Sequence, residues 1–306
     1  MNRPSVLNQI CLQVVSVTIS TLLMTMCSQP NPVSSEITEP APDPITKIRI
    51  VPAVSDIAVG RNRFAFGILE NSSPIRFKEQ IHVSFIYLEA TDSRHHIGKT
   101  ASFVEWPSGA AGVYVTEIEF NEPGKWGITF NITENGKVVD IISNSFSVKQ
   151  ESDSISIAQL APHSRNKTLD EVSGLEEITT AVTPDPDLYK ISIKDAVTSK
   201  RPTLVSFATP RFCQTATCGP QVKEISSLQD RYGAEANFIH VEVYENPAEI
   251  EGDISIGRIS PILNEWGLKN EPFTFVLDKN GIVHSKFEGF APIKELETAI
   301  KAVLIR

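Results

Sequence analysis

The chain has 306 residues, of which 41% are hydrophobic and 21% charged; 28 Lys and Arg stand against 37 Asp and Glu, for a formal charge of −9. Such a composition excludes a largely disordered chain, and an acidic balance without a cluster of Lys and Arg excludes nucleic acid as the main partner. The length allows about two domains. The four cysteines, Cys11, Cys27, Cys213 and Cys218, are too few for a disulfide-dense scaffold.

The N-terminus places one basic residue, Arg3, before an apolar run over 14–26 that Cys27 closes. A charged start, an apolar stretch of this length and a polar sequel form an export signal. This segment, 1–27, resembles a bacterial lipoprotein signal, although Met26 stands where a small residue is usual. The resemblance implies lipidation of Cys27 and a membrane anchor. Cleavage without lipid, or an uncleaved span over 6–26 weakened by Asn8, Gln9 and Gln13, are the alternatives. All three put the bulk of the chain outside the cytoplasm, and the lipoprotein resemblance implies anchoring in a bacterial cell envelope.

Residues 28–46 are rich in Pro, Ser and acidic side chains and read as a tether. From 47 to 149 the chain carries short alternating runs: Phe64, Phe66 and Ile68; Val83, Phe85 and Tyr87; Tyr114, Thr116, Ile118 and Phe120; Trp126, Ile128, Phe130 and Ile132; Ile142, Phe146 and Val148. Period-two patterning in roughly seven strands, with turn residues at Asn121–Gly124 and Asn135-Gly136, predicts an all-β antiparallel sandwich. The stretch GVYVTEIEFNEPGKWGITF resembles the closing hairpin of bacterial immunoglobulin-like domains. Residues 150–186, polar and Pro-containing, read as an interdomain linker with a short helix around 168–177.

From 187 to 306 strands and helices alternate, which predicts an α/β layer arrangement. Strands are expected at 203–209, 238–244, 273–278 and 282–288. Helices are expected at 220–232, with Val222, Ile225, Leu228 and Tyr232 on one stripe, and at the C-terminus, with Ile293, Leu296, Ile300 and Val303 on another. The strand into the first helix reads LVSFATPRFCQTATCGPQVKEI; Trp266-Gly-Leu-Lys-Asn-Glu-Pro272 precedes the third strand; and 238–247 ends in Asn246-Pro247. On these three features the segment resembles the thioredoxin superfamily. That resemblance implies a redox pair at Cys213 and Cys218, a cis proline at Pro272 facing them, and protein thiols or disulfides as partners. No cofactor is called for.

Four residues separate the cysteines where the family usually has two, and Gln221 stands where Cys-Gly-Pro-Cys would put its second thiol. Pro220 suits the first helical position, so Cys218 is expected near the helix cap, where free N–H groups favour a thiolate, and Cys213 upstream and more exposed. Which one attacks stays open. In thiol peroxidases with a similar pair, the strand position held here by Pro272 carries an Arg. Copper chaperones of the Sco type require a His that 262–277 lacks, so no metal is expected. Ser206 occupies the position of the family's buried acid, and His240 that of its neighbouring Lys. His240 reads either as a core histidine satisfied by hydrogen bonds or, with Glu242 on the same face, as a relocated proton acceptor. Glu271 replaces an apolar residue beside Pro272 and would favour basic partner peptides. Two functions follow: thiol–disulfide exchange, or a tethered interaction module in which Cys213–Cys218 is a fixed staple.

Overall fold

Hydrophobic alternation becomes sheet wherever it is sustained. A computed structural model of the chain describes residues 48–89, 96–107, 109, 111–134 and 137–305. The signal-like segment, Cys27 and the tether lie outside them. Among the described residues no helix is long and apolar enough to cross a membrane.

The N-terminal lobe is β1 (Ile48–Pro52), β2 (Gly60–Glu70), β3 (Ser73–Pro74), β4 (Gln80–Tyr87), β5 (His96–Glu105), β6 (Gly112–Phe120), β7 (Gly124–Glu134) and β8 (Lys137–Val148). All pair antiparallel in one sheet of order β1-β2-β6-β5-β4-β7-β8, with β3 on β2. The strands form one continuous ladder because β5 changes partner. Its first residues pair with β4, and Ser102–Glu105 pair with Val115–Gly112 of β6. The ends of the sheet meet: Asn144 Nδ2 donates to the Ile50 carbonyl at 2.9 Å, and Lys149 exchanges backbone bonds with Ile57 and Val59. Inside sit Phe64, Phe85, Phe120, Phe146 and Trp126, with ring centroids as close as 4.9 Å. The expected alternating apolar positions are the ones that point inward.

The C-terminal lobe contains α1 (Ile193–Thr198), β9 (Thr203–Ala208), α2 (Cys218–Tyr232), β10 (Asn237–Glu242), α3 (Pro247–Ile250), α4 (Pro261–Glu265), β11 (Phe273–Leu277), β12 (Val283–Glu288) and α5 (Ile293–Leu304). Its sheet has the order β10-β9-β11-β12, with β10 parallel to β9 and the other pairs antiparallel. This is the thioredoxin-like arrangement the resemblance implied. β9 is buried along its whole length, as a central strand covered on both faces must be. Alternation on β10 sends Phe238 to the layer under α2 and Ile239, Val241 and Val243 to the opposite one.

The segment 150–186, expected as a linker, is packed. Ala158 N–H and Ala161 N–H donate to Val283 and Gly281 carbonyls, and the Trp266 indole N–H reaches Ser164 Oγ at 3.1 Å. Gly267 holds φ +66°, and a Cβ there would overlap the Asp153 carbonyl, so only glycine admits this crossing. The lobes themselves are joined through buried charge. Arg63, its side chain 3% exposed, donates through Nε to Glu295 at 2.6 Å and through a terminal nitrogen to the Phe290 carbonyl at 3.1 Å. Asp56, 7% exposed, accepts from Ser152, Ser154, the Asp153 N–H and Lys286. Polar composition alone made 150–186 read as free chain; its backbone bonds to the sheet have no side-chain signature.

Candidate functional site

β9 delivers the chain to the loop 209–217, and α2 begins at Cys218, two residues earlier than its stripe suggested. Cys213 and Cys218 form a disulfide with their Cα atoms 5.8 Å apart. Cys218, at the first position of the helix, is fully buried, whereas Cys213 is half-buried at the surface of the loop. The first N–H of the helix, that of Cys218, donates to Cys213 Sγ at 3.2 Å, and Thr215 Oγ1 lies 3.3 Å from the same sulfur. The helix N-terminus therefore favours negative charge on Cys213. This corrects the expectation that Cys218 would gain most: with four residues in the loop, the upstream sulfur folds back over the helix end.

Gln221 is no stand-in for a thiol. It is buried, and its Oε1 accepts the Ala291 N–H at 2.8 Å, tying α2 to the approach of α5. The Glu271-Pro272 peptide is cis, and Pro272 is buried at the start of β11. Cys213 Sγ, Cys218 Sγ and a Glu271 carboxylate oxygen lie within 4.8 Å of one another. Beside them opens a cavity of ≈ 230 Å³ whose near wall is Thr215, Thr217 and Pro272 and whose far wall is Ala65, Trp106 and Val113 of the β lobe.

His240 lies in the core. It is 1% exposed; Nε2–H donates to the Ala208 carbonyl at 3.1 Å and Nδ1 accepts from the Tyr189 hydroxyl at 2.7 Å. Burial lowers its pKa to about 4. With one nitrogen protonated and the other filled, the ring has no lone pair free for a thiol proton, so the geometry matches the core-histidine alternative. Glu242 is equally occupied, accepting from Thr180 N–H and hydroxyl, both at 2.8 Å, and from Val243 N–H. Burial pushes its carboxyl up against those hydrogen bonds. Ser206 shares a 3.0 Å hydrogen bond with Thr274.

Among solved structures, similarity is found to a protein from Chlorobium tepidum described as the thiol:disulfide interchange protein DsbE, at 18% identity over 49% of this chain and 99% of that one, with a TM-score of 0.35. A thioredoxin family thiol:disulfide interchange protein from Chlorobium tepidum TLS follows at 16% identity, with the same coverage and a TM-score of 0.34. MTB dsbF, solved in mixed oxidized and reduced forms, gives 17% identity over 47% of this chain and 98% of that one, with a TM-score of 0.32. No family model and no curated protein matches the chain.

The motif makes Cys213, Cys218 and Pro272 legible in the sequence. Glu271 is legible there only as a residue for partner choice, and the β-lobe wall of Trp106 and Val113 is not legible at all. Adjacency to Pro272 was the available signal for Glu271; nothing local marks Trp106.

Proposed function

We propose that the chain is an extracytoplasmic thiol–disulfide oxidoreductase acting on protein partners through Cys213 and Cys218. The observation that carries this is the Cys218 N–H on Cys213 Sγ at the head of a 15-residue helix. In the reduced state it favours a Cys213 thiolate at a half-exposed position. That thiolate attacks a partner disulfide and expels one partner thiolate. Cys218 then attacks Cys213 Sγ, expels the second, and closes the intramolecular disulfide. Pro272 borders the cleft in which the partner segment would lie, and the β lobe supplies its opposite side.

In this reading the β lobe, 47–149, is immunoglobulin-like. Its order β1-β2-β6-β5 followed by β4-β7-β8 supports that, being the two sheets of such a sandwich joined through β5. The catalytic lobe spans 187–306, with 150–186 packed onto it. Cys27 is the proposed lipid anchor: mass spectrometry of the native protein is expected to find an acylated N-terminal peptide that Cys27→Ser removes, and an intact 1–26 segment would sink this.

Equilibration with glutathione measures the potential of Cys213–Cys218. Exchange chemistry requires roughly −120 to −270 mV; a value below about −300 mV identifies a fixed staple in a non-enzymatic interaction module and overturns the proposal.

A further inference from the structure

A thiol that resolves a mixed disulfide must lose its proton as it attacks, and near neutral pH a free thiol of pKa ~8.5 is mostly protonated. The groups that the family resemblance offered for this task are engaged elsewhere. Both nitrogens of His240 are hydrogen-bonded, Ser206 is bound to Thr274, and Glu242 already accepts three bonds. Among the described residues one carboxylate remains beside the sulfurs. Glu271 is half-buried, has no hydrogen-bond or ion-pair partner among the described residues, and places an oxygen within 4.8 Å of both Sγ atoms. That separation is one water, or a small side-chain rotation, from direct proton transfer.

We propose that Glu271 is the proton acceptor for Cys218 in the resolving step and the donor to the departing thiolate; this rests on the exchange reading above. In that step the Cys218 S–H proton passes to Glu271 as the Cys218 sulfur bonds to Cys213 Sγ. The bond from Cys213 to the partner sulfur breaks, and its electron pair leaves on the partner thiolate, which takes the proton from Glu271. The protein's two thiols lose two electrons and the partner disulfide gains them.

The surroundings suit the role. Burial pushes the Glu271 carboxyl above its ordinary value, towards that of a thiol, which brings the proton affinities of acceptor and donor closer. The charged groups across the cavity do not neutralise it. Arg63 is committed to Glu295 and to the Glu288 and Phe290 carbonyls, and Glu288 is held by Ser55, the Asp56 N–H and Asn270. The Glu271 charge also acts on Tyr244, whose pKa is raised by burial and by that charge.

A carboxylate that is merely near the site has the opposite kinetic sign. Its negative charge opposes formation of a thiolate, so its removal would speed resolution at neutral pH. The experiment therefore reads a direction as well as a size. Reduced full-length protein is mixed with 5,5′-dithiobis(2-nitrobenzoate), and the two thionitrobenzoate releases are followed by stopped flow. The first release reports attack; the second reports resolution by Cys218, with a leaving group that needs no proton. Glu271→Gln is expected to leave the first phase as fast as wild type or faster, since a negative charge beside Cys213 is lost, and to slow the second on the order of a hundredfold at neutral pH. The deficit is expected to close above about pH 9, where the thiol ionises unaided. Glu271→Asp is expected to recover part of the rate, and a first phase no slower than wild type reports an intact fold. A second phase in Glu271→Gln that is as fast as wild type, or faster, overturns the inference and leaves the exchange reading standing. Absence of a second phase in the wild type overturns both.

Discussion

Cys218→Ala is expected to turn the protein into a trap that remains covalently joined to a disulfide partner, while Cys213→Ala forms no such adduct. The asymmetry follows from burial. Cys213 is half-exposed and holds the helix N–H on its sulfur, whereas Cys218, the first residue of α2, is fully buried. Attack requires access and a stabilised thiolate, and only Cys213 has both. Resolution requires only that Cys218 reach Cys213 Sγ, which the observed disulfide demonstrates. Turnover with a peptide disulfide is expected to fall at least a thousandfold in either variant, since one thiol cannot complete the two-step exchange. Mass spectrometry under non-reducing conditions then separates them by the adduct. Neither substitution should unfold the chain, because closing so short a loop contributes only ~2 kcal/mol on the entropy model. An adduct that forms equally well on Cys218 in Cys213→Ala would reverse the assigned roles.

The proposed division of labour is only half legible in the sequence. Cys213 and Cys218 announced themselves because a buried β run, a thiol and an amphipathic stripe occur in order, and each of those is a local property. The direction of the helix-end hydrogen bond was not local. It depends on how four loop residues fold back, which no spacing rule specifies. The same distinction runs through the fold. Phe64, Phe85 and Trp126 were expected inward from alternation alone and are buried. The pairing of Arg63 with Glu295, or of Asp56 with Lys286, joins residues more than two hundred positions apart, and an isolated charge carries no pattern that names its partner. His240 shows the limit from the other side. A polar residue amid β-formers signals that something must satisfy it, but Tyr189 and the Ala208 carbonyl could be found only in three dimensions.

These buried groups give the protein an acid-sensitive stability with two separable windows. Burial alone would raise the Asp56 carboxyl, but the Ser152 and Ser154 hydroxyls, Lys286 and the Asp153 N–H together hold it well below the ordinary range. Its contribution is therefore complete above the unfolded value of ~3.9 and is lost as pH falls below that. Asp56→Ala would leave the Lys286 ammonium, itself 13% exposed, without its counter-charge. The expected cost is about 3–5 kcal/mol in chemical denaturation at neutral pH, the scale for breaking a buried pair from one side. Asp56→Asn, which keeps an acceptor oxygen, should cost less. His240 acts in the higher window. Its folded pKa of about 4 lies below the ordinary 6.5, so the unfolded chain takes up a proton that the native core refuses. Stability is then full above about pH 6.5 and declines as pH falls towards 4, by ~2 kcal/mol at pH ~5. Glu242 and Glu271, whose carboxyls burial pushes up, titrate with the opposite sign over part of that range. The His240 contribution is accordingly read from the difference between wild type and His240→Gln, which removes the ionisable ring. The stability gap between the two proteins should narrow from pH 7 to pH 5, because only the wild type suffers the histidine penalty. A constant gap would mean that the ring takes its proton in the native state, and hence that the hydrogen bonds to Tyr189 and Ala208 do not hold it neutral.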